Sequence, residues 1–280
     1  MKLGPTVLAA ALAIAMSSVM PKSADATDIK VISGGAFKQV LNALAAQYQK
    51  ESSNTLDITY QTVGQHLKLI ESGAESFDVA VLTPEAIDGL ISKGKVAPGS
   101  RADLAKTGVG VVVRQGTPLP DIGSVEAFKR TLLAAKSVAY IDPAAGGSSG
   151  IYVAKLLERL GIAKEVNAKA KLIQGGEVAS HVVDGVAEIG IHQISEILAV
   201  KDAVLVGPLP TEIQNFTVYA AGVGAAARDA TAANELVKFL TGSHAVPIIK
   251  AMGMEPPSSY GPKQPGAKKV GARTRRAPTL

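Results

Sequence analysis

Gly146-Gly147-Ser148-Ser149-Gly150 sets two hydroxyls among three glycines. An apolar run from Ser137 to Ile141 precedes it, and apolar residues at helical spacing follow from Ile151 to Leu160. Strand, glycine turn, hydroxyls and helix in that order aim free backbone N–H groups and two hydroxyls at one spot. Such a spot holds an anion or polar oxygens. Helix capping and turn geometry would explain one such element by themselves. The chain has a second: a strand from Asp28 to Ser33, the turn Ser33-Gly34-Gly35, then Phe37, Val40, Leu41, Leu44 and Tyr48 at helical spacing.

These turns need a frame, and the sequence alternates in a way that supplies one. Leu56 to Tyr60 reads as a short strand ending in Thr62-Val63-Gly64, with a helix through Leu67 and Ile70. Phe77 to Leu82 is an apolar strand; Pro84 opens a helix with Ile87, Leu90 and Ile91 inward, stopped by Gly94. Alternation of strands and helices predicts a parallel sheet covered by helices. Thr107 to Val113 is a strongly apolar strand, and the turn-rich stretch from Arg114 to Pro120 is the expected hinge. The alternation then resumes, with a helix capped by Ser124, the glycine–serine element, a helix from Glu177 to Val183 and a strand from Glu188 to His192. Pro208 to Asn215 is a second break, followed by a strand and two helices. Two α/β blocks joined by two breaks predict a two-lobed α/β fold. Lobe 1 takes residues 27–113 plus 216–260, and lobe 2 residues 114–215.

Composition narrows the classes. Met1-Lys2, the apolar stretch from Val7 to Met20 and Ala24-Asp25-Ala26 read as a signal peptide over residues 1–26, cut before Thr27, which implies export to a periplasm. There is no cysteine, so the exported protein relies on its core rather than on disulfides. The net charge of +5 is concentrated in residues 261–280, which hold Lys263, Lys268, Lys269, Arg273, Arg275 and Arg276 and no acid. That Pro-, Gly- and Lys/Arg-rich tail is expected to be disordered. The remaining body, residues 27–260, is slightly acidic, which argues against nucleic acid as a partner.

In open α/β sheets a ligand sits beyond the C-terminal ends of the strands. The residues expected there are Ser33, Gly35 and Ala36, then Thr62 and Val63, in lobe 1. Lobe 2 is expected to contribute Gly146, Ser148, Ser149, Val178, His192 and Gln193. The set is rich in uncharged donors, which can hold an anion because each helix N-terminus supplies about half a positive charge. His66, His181 and His192 with Glu177 have no i, i+4 ligand spacing, so no metal is expected. Gly146 to Gly150 also fits G-x-S-x-G, the turn that presents a hydrolase serine. Ser148 would then be the nucleophile, with Asp184 and His192 after it. A third reading is an interaction protein that works through its basic tail.

Five stretches in order, ISGGAFKQVLNALAAQY, GQHLKLIESGAESFDVAVLTPEAIDGL, YIDPAAGGSSGIYVAKLLERLGI, GGEVASHVVDGVAEIGIHQISEI and LVKFLTGSHAVPIIKAMGM, span about residues 28–254. The chain resembles the type II periplasmic solute-binding proteins, specifically those for molybdate and tungstate. The resemblance implies capture of a small anion between two lobes for a membrane ABC permease, by a monomer without catalysis or cofactor. The family's first serine ligand falls at Ala36, with Ser33 and the backbone of Gly35 beside it, and its second near Thr62. Its next donors fall at Ala145 to Gly147 and at Val178, and its tyrosine falls at Gln193. Two side-chain donors are therefore replaced. The ligand implied is a molybdate-like oxyanion or a small organic anion.

Overall fold

The computed structural model describes residues 26–257; the expected signal peptide, apart from Ala26, and the basic tail lie outside the described residues. Among the described residues no helix is long and apolar enough to cross a membrane. The chain opens with β1 (Asp28–Gly34), a 3-10 turn (Gly35–Phe37), α1 (Lys38–Ser52), β2 (Thr55–Gln61), α2 (Val63–Glu71), β3 (Val79–Leu82) and α3 (Pro84–Ser92). The middle runs β4 (Ala102–Arg114), α4 (Val125–Ala134), β5 (Val138–Ile141), a 3-10 turn (Pro143–Ala145), α5 (Ser148–Arg159), α6 (Ala163–Asn167), β6 (Ala170–Ile173), α7 (Val178–Val183), β7 (Ile189–Gln193), α8 (Ile194–Ile197) and β8 (Ala203–Pro208). After a 3-10 turn (Thr211–Ile213) come β9 (Phe216–Val223), α9 (Ala230–Leu240) and α10 (Ala245–Ala251).

The strands order as β2-β1-β3-β9-β4-β7-β5-β6, with β8 also on β4. β1, β2 and β3 are parallel, as are β5, β6 and β7, while β9 and β8 run antiparallel to their neighbours. β3 and β5 are buried on both faces and accordingly apolar throughout, VAVL and VAYI. Helix starts follow their sequence signals. Thr62 caps α2 in a reciprocal box with Gln65, and Thr83, Ser124 and Asp229 cap α3, α4 and α9.

β4 belongs to both lobes. Its residues Ala102–Gly108 pair with β9, and from Val109 onward it pairs with β7 and β8. The passage between lobes therefore lies inside the strand. Arg114 to Pro120, the expected hinge, starts at the strand's last residue and runs on past its far end. A composition of Gly and Pro marks a turn but not which sheet a strand joins. At the passage, the side-chain amide of Gln214 stands in for a strand neighbour. Its Oε1 accepts from Val109 N–H at 2.9 Å, and its Nε2 donates to Val109 O at 2.9 Å. The second crossover, through residues 209–215, thus holds the first.

Each lobe has a core on both faces of its sheet. In lobe 1, α1, α9 and α10 cover one face around Phe37, Leu44 and Leu236, and α2 and α3 cover the other around Ile87 and Leu90. In lobe 2, α4, α5 and α6 pack around Phe128 and Leu156, and α7 lies opposite. Fully burying a side chain such as Phe37 or Phe128 contributes about 1.5–3 kcal/mol.

Asp78, buried just before β3, ties three segments together. It accepts from Lys30 N–H and Arg228 N–H, each at 2.8 Å, and from Arg228 Nη2 at 2.9 Å. Burial pushes its carboxyl up, but these bonds outweigh burial and hold it below the usual carboxylate range. A depressed folded-state pKa means stability that is present above the unfolded value, near pH 4, and lost as pH falls through the folded one. Asp78→Ala is expected to cost on the order of 2–3 kcal/mol at pH 7, because three hydrogen bonds to a buried carboxylate are lost. Urea denaturation at pH 7 and pH 3 checks this; the difference between variant and wild type should shrink at the lower pH.

Candidate functional site

The C-terminal ends of β1, β2, β5 and β7 converge on a cleft of about 160 Å³ between the lobes. The backbone explains the convergence: a parallel strand hands its chain to a helix at that end, so every turn opens there. On one side, Gly34 precedes the Gly35–Phe37 turn without a side-chain cap. On the other, Gly147 precedes α5 without one, and the first bond into that helix is Ile151 N–H to Gly147 O. The N–H groups of Ser148, Ser149 and Gly150 thus have no partner within their helix. The hydroxyls of Ser148 and Ser149 make no hydrogen bond among the described residues.

The lobes are closed on each other. Gly64 N–H donates to Gly146 O at 3.1 Å, and the Thr62 hydroxyl donates to Ala145 O. Gln65 Nε2 donates to Gln174 O at 3.2 Å, and Ser195 Oγ donates to Ala36 O at 2.9 Å. Lys38 Nζ meets Glu177 Oε1 at 3.6 Å across the rim. That pair is partly exposed, so it positions more than it stabilises.

Eight of the expected residues line this cleft: Gly35, Ala36, Thr62, Val63, Ser148, Ser149, His192 and Gln193. Three do not. Ser33 is fully buried and its hydroxyl donates to Gly34 O. Gly146 is spent on the contact with Gly64. Val178 lies in the core of lobe 2, and its predecessors Gly176 and Glu177 line the cleft instead. Thr62 reaches the cleft, but its hydroxyl hydrogen is committed to Ala145 O while its oxygen caps α2. The hydroxyl therefore joins the lobes.

The cleft also holds residues that the strand-end rule missed: Lys38, Tyr60, Glu177, Glu196 and Tyr219. Tyr219 comes from β9, and its hydroxyl lies against the Gln193 side chain and the Ala36 backbone. A tyrosine hydroxyl is thus restored beside Gln193 from a different strand. Glu196 follows His192 by four residues, a spacing that could have flagged the pair. His192 Nε2 and Glu196 Oε2 are 3.2 Å apart; His192 is buried and Glu196 largely so. Burial pushes Glu196 up to about 8, the Glu177 charge pushes the same way, and Lys38 opposes. Burial pushes His192 down to about 3. Both shifts favour the uncharged forms, a carboxylic acid at Glu196 and a neutral imidazole at His192. His192 Nδ1 and Gln193 Oε1 have no hydrogen-bond partner among the described residues.

No triad forms around Ser148. Asp184 caps the C-terminus of α7, and His192 is engaged by Glu196. His66, buried, is held by Glu75 at 2.8 Å and Ser33 O at 3.1 Å. Among the described residues no group of three His, Asp or Glu is placed to hold a metal ion.

Two lobes closing on a cleft of strand-end turns define a solute-binding protein. The sequence profile of the bacterial extracellular solute-binding proteins matches residues 29–255, and the chain belongs to that family. Two relatives are informative. The chain is 33% identical over 257 residues to an aconitate isomerase from a Pseudomonas species, covering 90% of this chain and 96% of that protein. It is 27% identical over 245 residues to the molybdate-binding protein of Azotobacter vinelandii, covering 82% and 91%. The solved periplasmic molybdate-binding protein of Azotobacter vinelandii superposes with a TM-score of 0.69 at 21% identity, covering 82% of this chain and 99% of that one.

Proposed function

We propose that this protein captures a small organic anion with more than one carboxylate, outside the cytoplasm, and presents it as a monomer to an ABC importer. One observation carries the reading: uncharged donors sit on both walls of the cleft, at Gly35 and Ala36 and at Ser148 and Ser149, with the largely buried acid Glu196 between them. A ligand with separated anionic ends can reach both walls. Ala36 stands where the molybdate binders are expected to place a hydroxyl, which disfavours a compact tetrahedral oxyanion. The lobes act as the two jaws, with β4 and residues 209–215 as the crossovers between them.

A melting-point screen with citrate, cis- and trans-aconitate, molybdate, tungstate, sulfate and phosphate tests this. A ligand at a hundredfold excess over its Kd stabilises by about 2.7 kcal/mol. A tricarboxylate is expected to raise the melting point most. A shift with molybdate or sulfate and none with any carboxylate would end the proposal.

A second reading is favoured by a specific observation. The protein 33% identical to this chain over nearly all its length is an aconitate isomerase, and the cleft contains an acid whose proton is poised near neutral pH. On that reading the captured acid is also isomerised. Proton NMR of trans-aconitate incubated with the protein distinguishes a binder, which leaves the spectrum unchanged, from an isomerase.

A further inference from the structure

We propose that Glu196 is a catalytic residue whose carboxylate takes a proton from one carbon of an unsaturated polycarboxylate bound in the cleft and returns it to another. The proposal rests on the isomerase reading above. A carbon–carbon double bond does not rotate, so its geometry changes only when the bond is moved or broken. The cleft's acid–base groups, with the fixed N–H groups around them, suit moving it.

The step balances within the ligand and one side chain. Ionised Glu196 removes a proton from a methylene next to the double bond. The C–H electron pair becomes a new double bond to the middle carbon. The former double-bond pair moves outward and takes the proton back from the Glu196 carboxylic acid. The bond that was single, and free to rotate, is now the double bond, so its geometry is set anew. Charge that builds on the ligand carboxylates in between is met by the backbone N–H groups of Gly35 and Ala36 and of Ser148 and Ser149.

Geometry selects Glu196 among the cleft's candidates. It enters from lobe 2 at the start of α8, and its Oε1 lies beside Gly35 of lobe 1, where even a methyl group at Gly35 would come within 2.6 Å. It therefore reaches across the cleft floor. The titratable and charged groups facing it are His192 from β7, Glu177 ahead of α7, Lys38 from α1 and Tyr219 from β9. Glu177 is committed to Lys38 at the rim. Burial leaves His192 a weak base and pushes the Tyr219 hydroxyl up, leaving it a weak acid. Glu196, pushed up to about 8, is the group matched to giving and taking a proton near neutral pH.

The test follows trans-aconitate by proton NMR in deuterated buffer with wild type, Glu196→Gln and Glu196→Asp. Wild type is expected to form the cis isomer, faster as pH rises through about 8, because the ionised form is the base. Glu196→Gln mimics the protonated side chain in shape and charge. It is expected to keep the ligand-induced rise in melting point while turnover falls at least about 100-fold. Glu196→Asp should retain a measurable fraction of turnover, with the pH dependence still present. Wild-type turnover together with an unimpaired Glu196→Gln overturns the role of Glu196 and leaves the isomerase reading standing. So does a Glu196→Asp rate that is flat across pH. Absence of any turnover by wild type overturns the isomerase reading, and the proposal with it.

Discussion

Gly64→Ala is expected to weaken ligand capture by roughly 10- to 100-fold without lowering the melting point of the free protein. A Cβ at position 64 would stand 2.7 Å from Gly146 Cα and 3.3 Å from Gly146 O. Both are backbone atoms of the other lobe, so no side chain can swing away. Overpacking of this kind costs about 1–3 kcal/mol, and each 1.4 kcal/mol is a tenfold change in affinity. The cost falls on the closed form alone, since Gly64 meets nothing of its own lobe at that distance. Gly64 lies in the first turn of α2, where alanine is the better helix former, so the free, opened protein gains slightly. The substitution also separates Gly64 N–H from Gly146 O and Thr62 from Ala145 O, which hold one side of the cleft shut. Titration calorimetry and small-angle scattering check it. Wild-type affinity with an unchanged radius of gyration would show that the Gly64–Gly146 approach plays no part in capture.

Gly150→Ala is expected to act on folding itself. Its Cβ would lie 2.2 Å from Ile141 O and 2.8 Å from Ile141 C, both in the backbone of β5. α5 would have to lift from the sheet that it covers. The helix-propensity gain of about 1 kcal/mol is smaller than an overpacking cost at or above the upper end of about 1–3 kcal/mol. The net expectation is a loss on the order of 2 kcal/mol or more. Displacing α5 also moves the N–H groups of Ser148 and Ser149, so binding should fall with stability. Urea denaturation measures the first effect and the ligand-induced melting shift the second. A variant as stable as wild type would mean that α5 has slack against β5.

The two glycine-turn elements and the alternation of strands with helices were readable because each depends on neighbours in sequence. The apolar runs ending at Ile141 and Leu82, the cap Ser124, and the helix from Lys38 follow local periodicity and local hydrogen bonding. Eight expected cleft residues reach the cleft for the same reason: strand ends in a parallel sheet all face one way. Ser33 failed because a residue at a strand end can point into the sheet as easily as out of it, and the difference is a single position of pleat.

By itself the amino-acid sequence determined most of the alternation of strands and helices, the turns that free backbone donors and the near-neutral character of the body. Tertiary structure alone decided that β4 serves two sheets, that Gln214 completes its pairing at the passage, and that Thr62 joins lobes rather than offering its hydroxyl. It also brought together Lys38, Glu177, Glu196 and Tyr219 from four separate segments. The reason is physical. Helices and turns are stabilised within a few residues, whereas a cleft, and the burial that pushes the Glu196 carboxyl up, exist only once distant segments exclude water together.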